Sequence, residues 1–297
     1  LLLCKYYCAT LGEVGEQAGR QDHTMFRSEE TQSTVALASR SLGLIYHGAV
    51  RDLRKSHRYG VIGVLINVLQ TVIFVLVFYM MFAMFGIRSS PIRGDFLLYI
   101  LSGVFLFLTF TKTMTGVVGS EGPASAMMKH RPMNTFVAVG ASALSSLYIQ
   151  TLSIVLVLSA YHLWFNRIEI HDFGSALYVY LLTWFTGIAL GMVLFAAKPW
   201  APTFVSLVST IFARINMIAS GKMFVANTLS TSMLMMFAWN PLFHLIDQMR
   251  GYVFLNYTPR NTNLEYPLWV AISLFVVGMM GEFYTRKRAS ISWGAAR

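Results

Sequence analysis

The sequence predicts an all-α integral membrane protein with six transmembrane helices, and three observations carry that reading. The chain is 56% hydrophobic and only 12% charged, about half the charged share usual in a soluble domain. Its mean hydropathy is +0.57. Six apolar runs reach or approach the ~20 residues that cross a bilayer core, at about 61–85, 96–118, 136–165, 174–197, 203–224 and 266–284. The basic residues behind the net charge of +10 mostly flank those runs, where lipid headgroups attract them. That placement argues for membrane lipids as the partner and against nucleic acid.

Residues 1–33 read as a poorly ordered extension, and residues 34–297 as a single transmembrane domain. Leu1-Leu2-Leu3 is too short for a signal-peptide core, and Met25 is a candidate start. The two cysteines, Cys4 and Cys8, both lie in this extension and imply no disulfide framework. Thr34–Arg58 has apolar residues at Val35, Leu37, Leu42, Leu44, Ile45, Val50 and Leu53, then ends in a basic stretch, Arg51–Arg58. This pattern predicts an N-terminal amphipathic interfacial helix leading into the first span.

Loop charge sets the expected orientation. One side carries Arg51, Arg54, Lys55, Arg58, Lys129, Arg131, Lys198, Arg286, Lys287 and Arg288; the other carries Arg88, Arg93, Arg167, Arg250 and Arg260. The positive-inside rule then puts both termini in the cytoplasm. The third run is long enough to tilt or to project from the bilayer. The loop between the second and third runs is cytoplasmic on this reading. Within it, Pro123 suits the first turn of a short helix and Pro132 its stop. Glu121, Met127, Met128, Lys129 and Arg131 on that helix suit docking to a soluble partner, or simply make a basic loop.

The segment at 233–255 is neither a clean loop nor a clean span. Met233–Trp239 is far too short to cross, and Asn240-Pro241 breaks it. Leu242, Phe243, Leu245, Ile246 and Met249 then recur at helical spacing beside His244, Asp247 and Arg250. A short apolar run, a break and an amphipathic helix predict a re-entrant or interfacial hairpin. Such backbone survives at membrane depth only where protein or a water-filled cavity covers it.

Two cations fall inside the fifth run, Arg214 and Lys222, eight residues and about 80° apart on a helix. A cation at bilayer depth is a functional-site candidate by default. Lys222 is near enough to the run's end to snorkel, whereas Arg214 needs a partner: an acid, a polar side chain, carbonyls or an anionic substrate. One broad face could hold both, with Asn216 and Ser220.

Several chemistries lack their residues. Gly221-Lys222 is followed by Met223 where a phosphate-binding loop needs Ser or Thr. No zinc-protease helix or nucleophile elbow is present, and the acids in the runs do not cluster as many ion-coupled carriers require. No metal site and no cofactor site is expected in this chain. Asn256-Tyr-Thr258 matches a glycosylation sequon, a pattern frequent by chance.

From about Gly48 to Ser290 the chain resembles the permease subunit of bacterial ABC exporters for capsular polysaccharide, within the type-2 permeases. Trp239-Asn-Pro-Leu-Phe-His-Leu-Ile-Asp-Gln-Met-Arg250 is similar to the family's Trp-Asn-Pro-Leu-x-His signature and following arginine. Arg214 with Ser220-Gly221 and Phe224 resembles its fifth-span pattern, and His130-Arg131-Pro132 its Tyr-Arg-Pro turn, with His130 in place of Tyr. The proline-punctuated turn usual after span five is missing between Val225 and Ser232. The resemblance implies a non-enzymatic homodimer in the bacterial inner membrane, with cytoplasmic ATPase subunits that hold the ATP and magnesium. It also implies periplasmic and outer-membrane export components, and a polysaccharide substrate, lipid-anchored. The loop near Gly122–Arg131 would be the coupling helix. Arg214, Lys222, Phe224, Phe237, Trp239, Phe243 and Tyr252 would line the path, with Trp239, Asn240, Pro241, His244 and Arg250 building the hairpin. The alternatives are an O-antigen, teichoic-acid or drug exporter of the same superfamily, a membrane-embedded glycosyltransferase or acyltransferase, and a scaffold.

Overall fold

The computed structural model describes residues 34–56, 60–84, 92, 94–120, 135–164 and 170–295. The chain divides into two units, Leu1–Gly43 and Leu44–Arg297. In the first, the described backbone is helical from Thr34 onward. Helix α1 (Thr34–Ser56) starts there and continues into the second unit.

The second unit is all-α among the described residues. Its long helices are α2 (Gly60–Met84), α3 (Phe96–Gly119), α4 (Thr135–Trp164), α5 (Phe173–Ala197), α6 (Pro202–Ala219) and α9 (Glu265–Ala295). Between α6 and α9 lie a 3-10 turn (Ala226–Thr228) and two short helices, α7 (Thr231–Phe237) and α8 (Pro241–Val253). Among the described residues, six helices are therefore long and apolar enough to span a bilayer. The expected boundaries agree within a residue or two except at the fifth and sixth runs. Helix α6 stops at Ala219 rather than near 224, and α9 continues to Ala295. The early stop has a local cause. Gly221 has φ +72°, and a Cβ there would lie 2.5 Å from the Phe243 ring. Glycine past the last helical turn is the usual residue for this left-handed stop.

Helix α3 is the central pillar, with Tyr99, Thr109, Thr113, Met114 and Val117 all at 0% exposure. Helix α5 packs along it through glycine. A Cβ on Gly187 would lie 2.9 Å from the Phe110 carbonyl oxygen, and one on Gly191 2.8 Å from Val117 Cβ. Helix α9 reaches the other side of α5 by the same device, with Gly278 over Met192 and Gly281 over Ala196. Small residues of this kind let helices approach closely where lipid supplies no hydrophobic drive for association. Helices α2 and α4 flank α3, and Asn67 of α2 donates to Ser153 Oγ of α4 at 3.1 Å. Within this unit, α1 rests on α4 through Ile45 and Gly48, against Gly140 and Ala141.

Helix α8 has the cover by protein that non-spanning backbone at membrane depth requires. Leu242, Leu245 and Ile246 are fully buried, but so are Asp247 at 2% and Arg250 at 0%. It packs against α3, α5 and α9, so both its apolar and its polar faces lie inside protein.

Filling the α5–α9 contact should loosen the bundle. Gly278→Val forces a side chain against Met192 Cβ and Val193 N, each under 3 Å from a Cβ. We expect a loss of about 1–3 kcal/mol, read as a lower apparent melting temperature of the detergent-purified chain.

Candidate functional site

The sequence from Ser220 to Asn263 builds a knot of polar contacts around α8. Asn240 starts it. Its Oδ1 accepts from Leu242 N at 3.1 Å, capping α8, and Pro241 occupies the first helical turn. Its Nδ2 donates to Asn216 Oδ1 at 2.8 Å and to the Ala219 carbonyl at 3.0 Å. One side chain therefore joins the start of α8 to the end of α6.

Arg250 closes the same turn from the other end of α8. Nη1 donates to the Gly221 carbonyl at 2.9 Å and the Phe224 carbonyl at 2.7 Å; Nη2 donates to the Lys222 carbonyl at 2.7 Å. The guanidinium lies 4.1 Å over the Tyr99 ring of α3. The planar fork of arginine spreads its donors over two nitrogens and so spans three separated carbonyls, a wider reach than the single nitrogen of an ammonium has.

Asp247 ties the downstream loop. Oδ1 accepts from Tyr257 Oη at 2.6 Å and from Ala226 N at 3.4 Å, and Oδ2 accepts from Thr262 Oγ1 at 2.8 Å. Burial and the adjacent carboxylate push the Tyr257 hydroxyl above the ordinary phenol range. His244 accepts at Nδ1 from Asn263 N, 3.2 Å away. Its proton therefore sits on Nε2, which donates to the Ala238 carbonyl at 2.8 Å. Burial holds its pKa below the usual 6.5.

The residues predicted from sequence part company here. Phe224, Phe237 and Phe243 come together, with ring centroids 5.1, 6.2 and 6.4 Å apart. Trp239, two residues beyond Phe237 in sequence, is 59% exposed, with its carbonyl accepting from Tyr266 Oη at 2.6 Å. Tyr252 lies near the far end of α8, where its carbonyl accepts from Asp172 N. Arg214 is exposed on the outward face of α6. Lys222 neither snorkels nor shares a helix face with Arg214. It lies beyond the end of α6, is 3% exposed, and points its Nζ into three phenyl rings. Nζ is 3.5 Å from the Phe107 centroid and 4.7 Å from those of Phe74 and Phe78, with no hydrogen-bond partner. Cation–π attraction in a desolvated cage offsets part of that burial. The physical reason for the correction is Gly221, which turns the chain inward before Lys222.

Glu121, Met127, Met128, Lys129 and Arg131 fall outside the described residues. A cation within the second apolar run was missed in the sequence. Lys112 of α3 donates to Gln70 Oε1 of α2 at 2.7 Å, and its signal was a lysine inside the second apolar run. Among the described residues, no group of three or more His, Cys, Asp or Glu could hold a metal ion. No family model matches the chain, and no curated protein matches it.

Two outcomes test this knot. Arg250→Met strands three buried carbonyls, each costing about 1–3 kcal/mol, so the monodisperse fraction on size exclusion should collapse; Arg250→Lys should recover only part of it. His244 supplies a pH dependence. Its folded pKa is depressed, so its contribution is present above 6.5 and is lost as pH falls below 6.5 toward the folded value. The apparent melting temperature should therefore drop on acidification from pH 7.5 to 5, and His244→Asn should flatten that drop.

Proposed function

We propose that this chain is the membrane-spanning subunit of an ATP-driven exporter that moves capsular polysaccharide across the bacterial inner membrane. The observation that carries the reading is the Trp239–Arg250 segment. The residues that resemble the permease signature are those that bury and lock α8 inside the bundle: Asn240 and Pro241 at its start, His244 in its middle, Arg250 at its end. Covered non-spanning helix between two spans fits a gate or cap better than a simple loop.

Further support comes from uncovered apolar surface. Phe204, Leu207, Ile211, Ile215 and Ile218 form an exposed stripe on α6, and Leu65, Leu69, Leu76 and Met80 one on α2. A second copy of the chain would meet such faces, and the polymer would pass between the copies. Arg214 on the α6 stripe would then face the path, where a cation suits acidic sugars or a lipid phosphate. Phe224, Phe237 and Trp239 would supply aromatic faces for sugar C–H groups. ATP hydrolysis would reside on cytoplasmic partner subunits that dock at the loop near Gly122–Arg131. His244 and Asp247, the pair that an embedded transferase would use, are engaged in structural hydrogen bonds.

The test is co-purification from membranes with a co-expressed ABC-type ATPase, followed by ATP turnover. The wild-type chain should retain the ATPase. Replacing Met127, Met128 and Lys129 by Gly should lose or uncouple it. An ATPase that never associates with the wild-type chain overturns the exporter reading.

A further inference from the structure

A second candidate site lies apart from the aromatic cluster, in the connection from α8 to α9. Asn227, Asn256, Tyr257, Thr258, Arg260 and Asn261 line an open cavity of about 530 Å³, within the range of small-molecule sites. Its chemistry is unusual for such a site, where apolar walls are the rule. This wall presents three carboxamides, a threonine and one guanidinium, and no acid is among its lining residues.

The pocket is built before any ligand arrives. Asn227 spends both ends of its amide on the backbone, donating to the Thr258 carbonyl at 2.9 Å and accepting from Arg260 N at 3.2 Å. Asn261 Nδ2 donates to the Ala226 carbonyl at 3.4 Å, and Tyr257 is moored to Asp247 at 2.6 Å. Pro259 lies so close to Gly251 that a Cβ there would sit 2.6 Å from it. These contacts fix the frame and leave the exposed Asn256 and Arg260 side chains at its rim. A fixed backbone frame confines the ordering cost of binding to the few rim side chains.

Its place in the bundle matters as well. The preceding residue Phe254 packs on Gly94, and the Val253 carbonyl accepts from His171 N. The pocket therefore opens at the end where α3 and α5 begin. Lys198, which donates to the Val118 carbonyl, marks the opposite end.

We propose that this pocket is a docking subsite for a carboxylate-bearing sugar, with Arg260 holding the carboxylate and Asn256 a ring hydroxyl. The sugar's identity rests on the exporter reading, in which this end is the exit side. A guanidinium takes a carboxylate in a charge-assisted bond, and carboxamides both donate to and accept from hydroxyls.

The full chain in phosphatidylcholine nanodiscs would be titrated by calorimetry with a hexasaccharide of alternating glucuronic acid and N-acetylglucosamine. Neutral maltohexaose and inorganic phosphate are the comparison probes. The acidic hexasaccharide should bind, maltohexaose should bind at least tenfold more weakly, and phosphate should not displace it. Arg260→Gln keeps the backbone N–H that Asn227 uses, and should weaken binding about tenfold, the loss of one charge-assisted bond. Asn256→Ala should weaken it several-fold. Equal affinity for both glycans, or wild-type affinity in Arg260→Gln with an unchanged circular dichroism spectrum, overturns the proposal. Full displacement by phosphate marks a plain anion site and overturns it too. The titration needs no ATPase, so failure of the exporter reading and failure of this subsite give different results.

Discussion

The Arg250 guanidinium, fully buried and shared among the carbonyls of Gly221, Lys222 and Phe224, is the interaction on which the non-spanning part of the bundle depends. A helix that ends inside a membrane protein leaves carbonyls that neither water nor lipid can satisfy. The turn after α6 exposes such carbonyls, and one positive fork from a neighbouring helix takes them. The same bonds neutralise the cost of the cation, because each end of the contact is otherwise unaffordable in a dry interior. Tyr99 then fixes the plane of the guanidinium from α3.

Once α8 is anchored in this way, its other polar residues reach outward in both chain directions. Asn240 holds the end of α6, His244 and Asp247 hold the loop before α9, and Gln248 donates to the Thr262 carbonyl at 2.7 Å. The helix works as a spine for flanking segments that have little regular structure of their own. It can do so only because the surrounding helices stand close, and glycine on α5 and α9 sets that spacing. The pocket near Arg260 and the phenylalanine cluster near Phe237 are both outer margins of this one spine.

The position of Lys222 shows how a single backbone angle redirects chemistry. Counted along a continuous helix it belongs beside Arg214. A left-handed Gly221 ends the helix and swings Lys222 inward, into Phe74, Phe78 and Phe107 from two other helices. Sequence periodicity carries no information on which rings will surround a side chain after such a turn. The Asn227–Arg260 contact, joining residues on either side of α7 and α8, was invisible for the same reason.

By itself the sequence determined the class, the six spans and the position of the break at Asn240-Pro241. These follow from local quantities: run length against bilayer thickness, and the missing amide hydrogen of proline. It also placed His244, Asp247 and Arg250 together beside the apolar stripe of an amphipathic helix that follows Asn240-Pro241. Tertiary structure alone decided what they do, that both faces of α8 are covered, and that Arg214 and Lys222 point apart. The reason is physical. Hydropathy counts what a residue would lose in lipid, whereas a partner for each polar group is supplied by whichever distant segment packs against it.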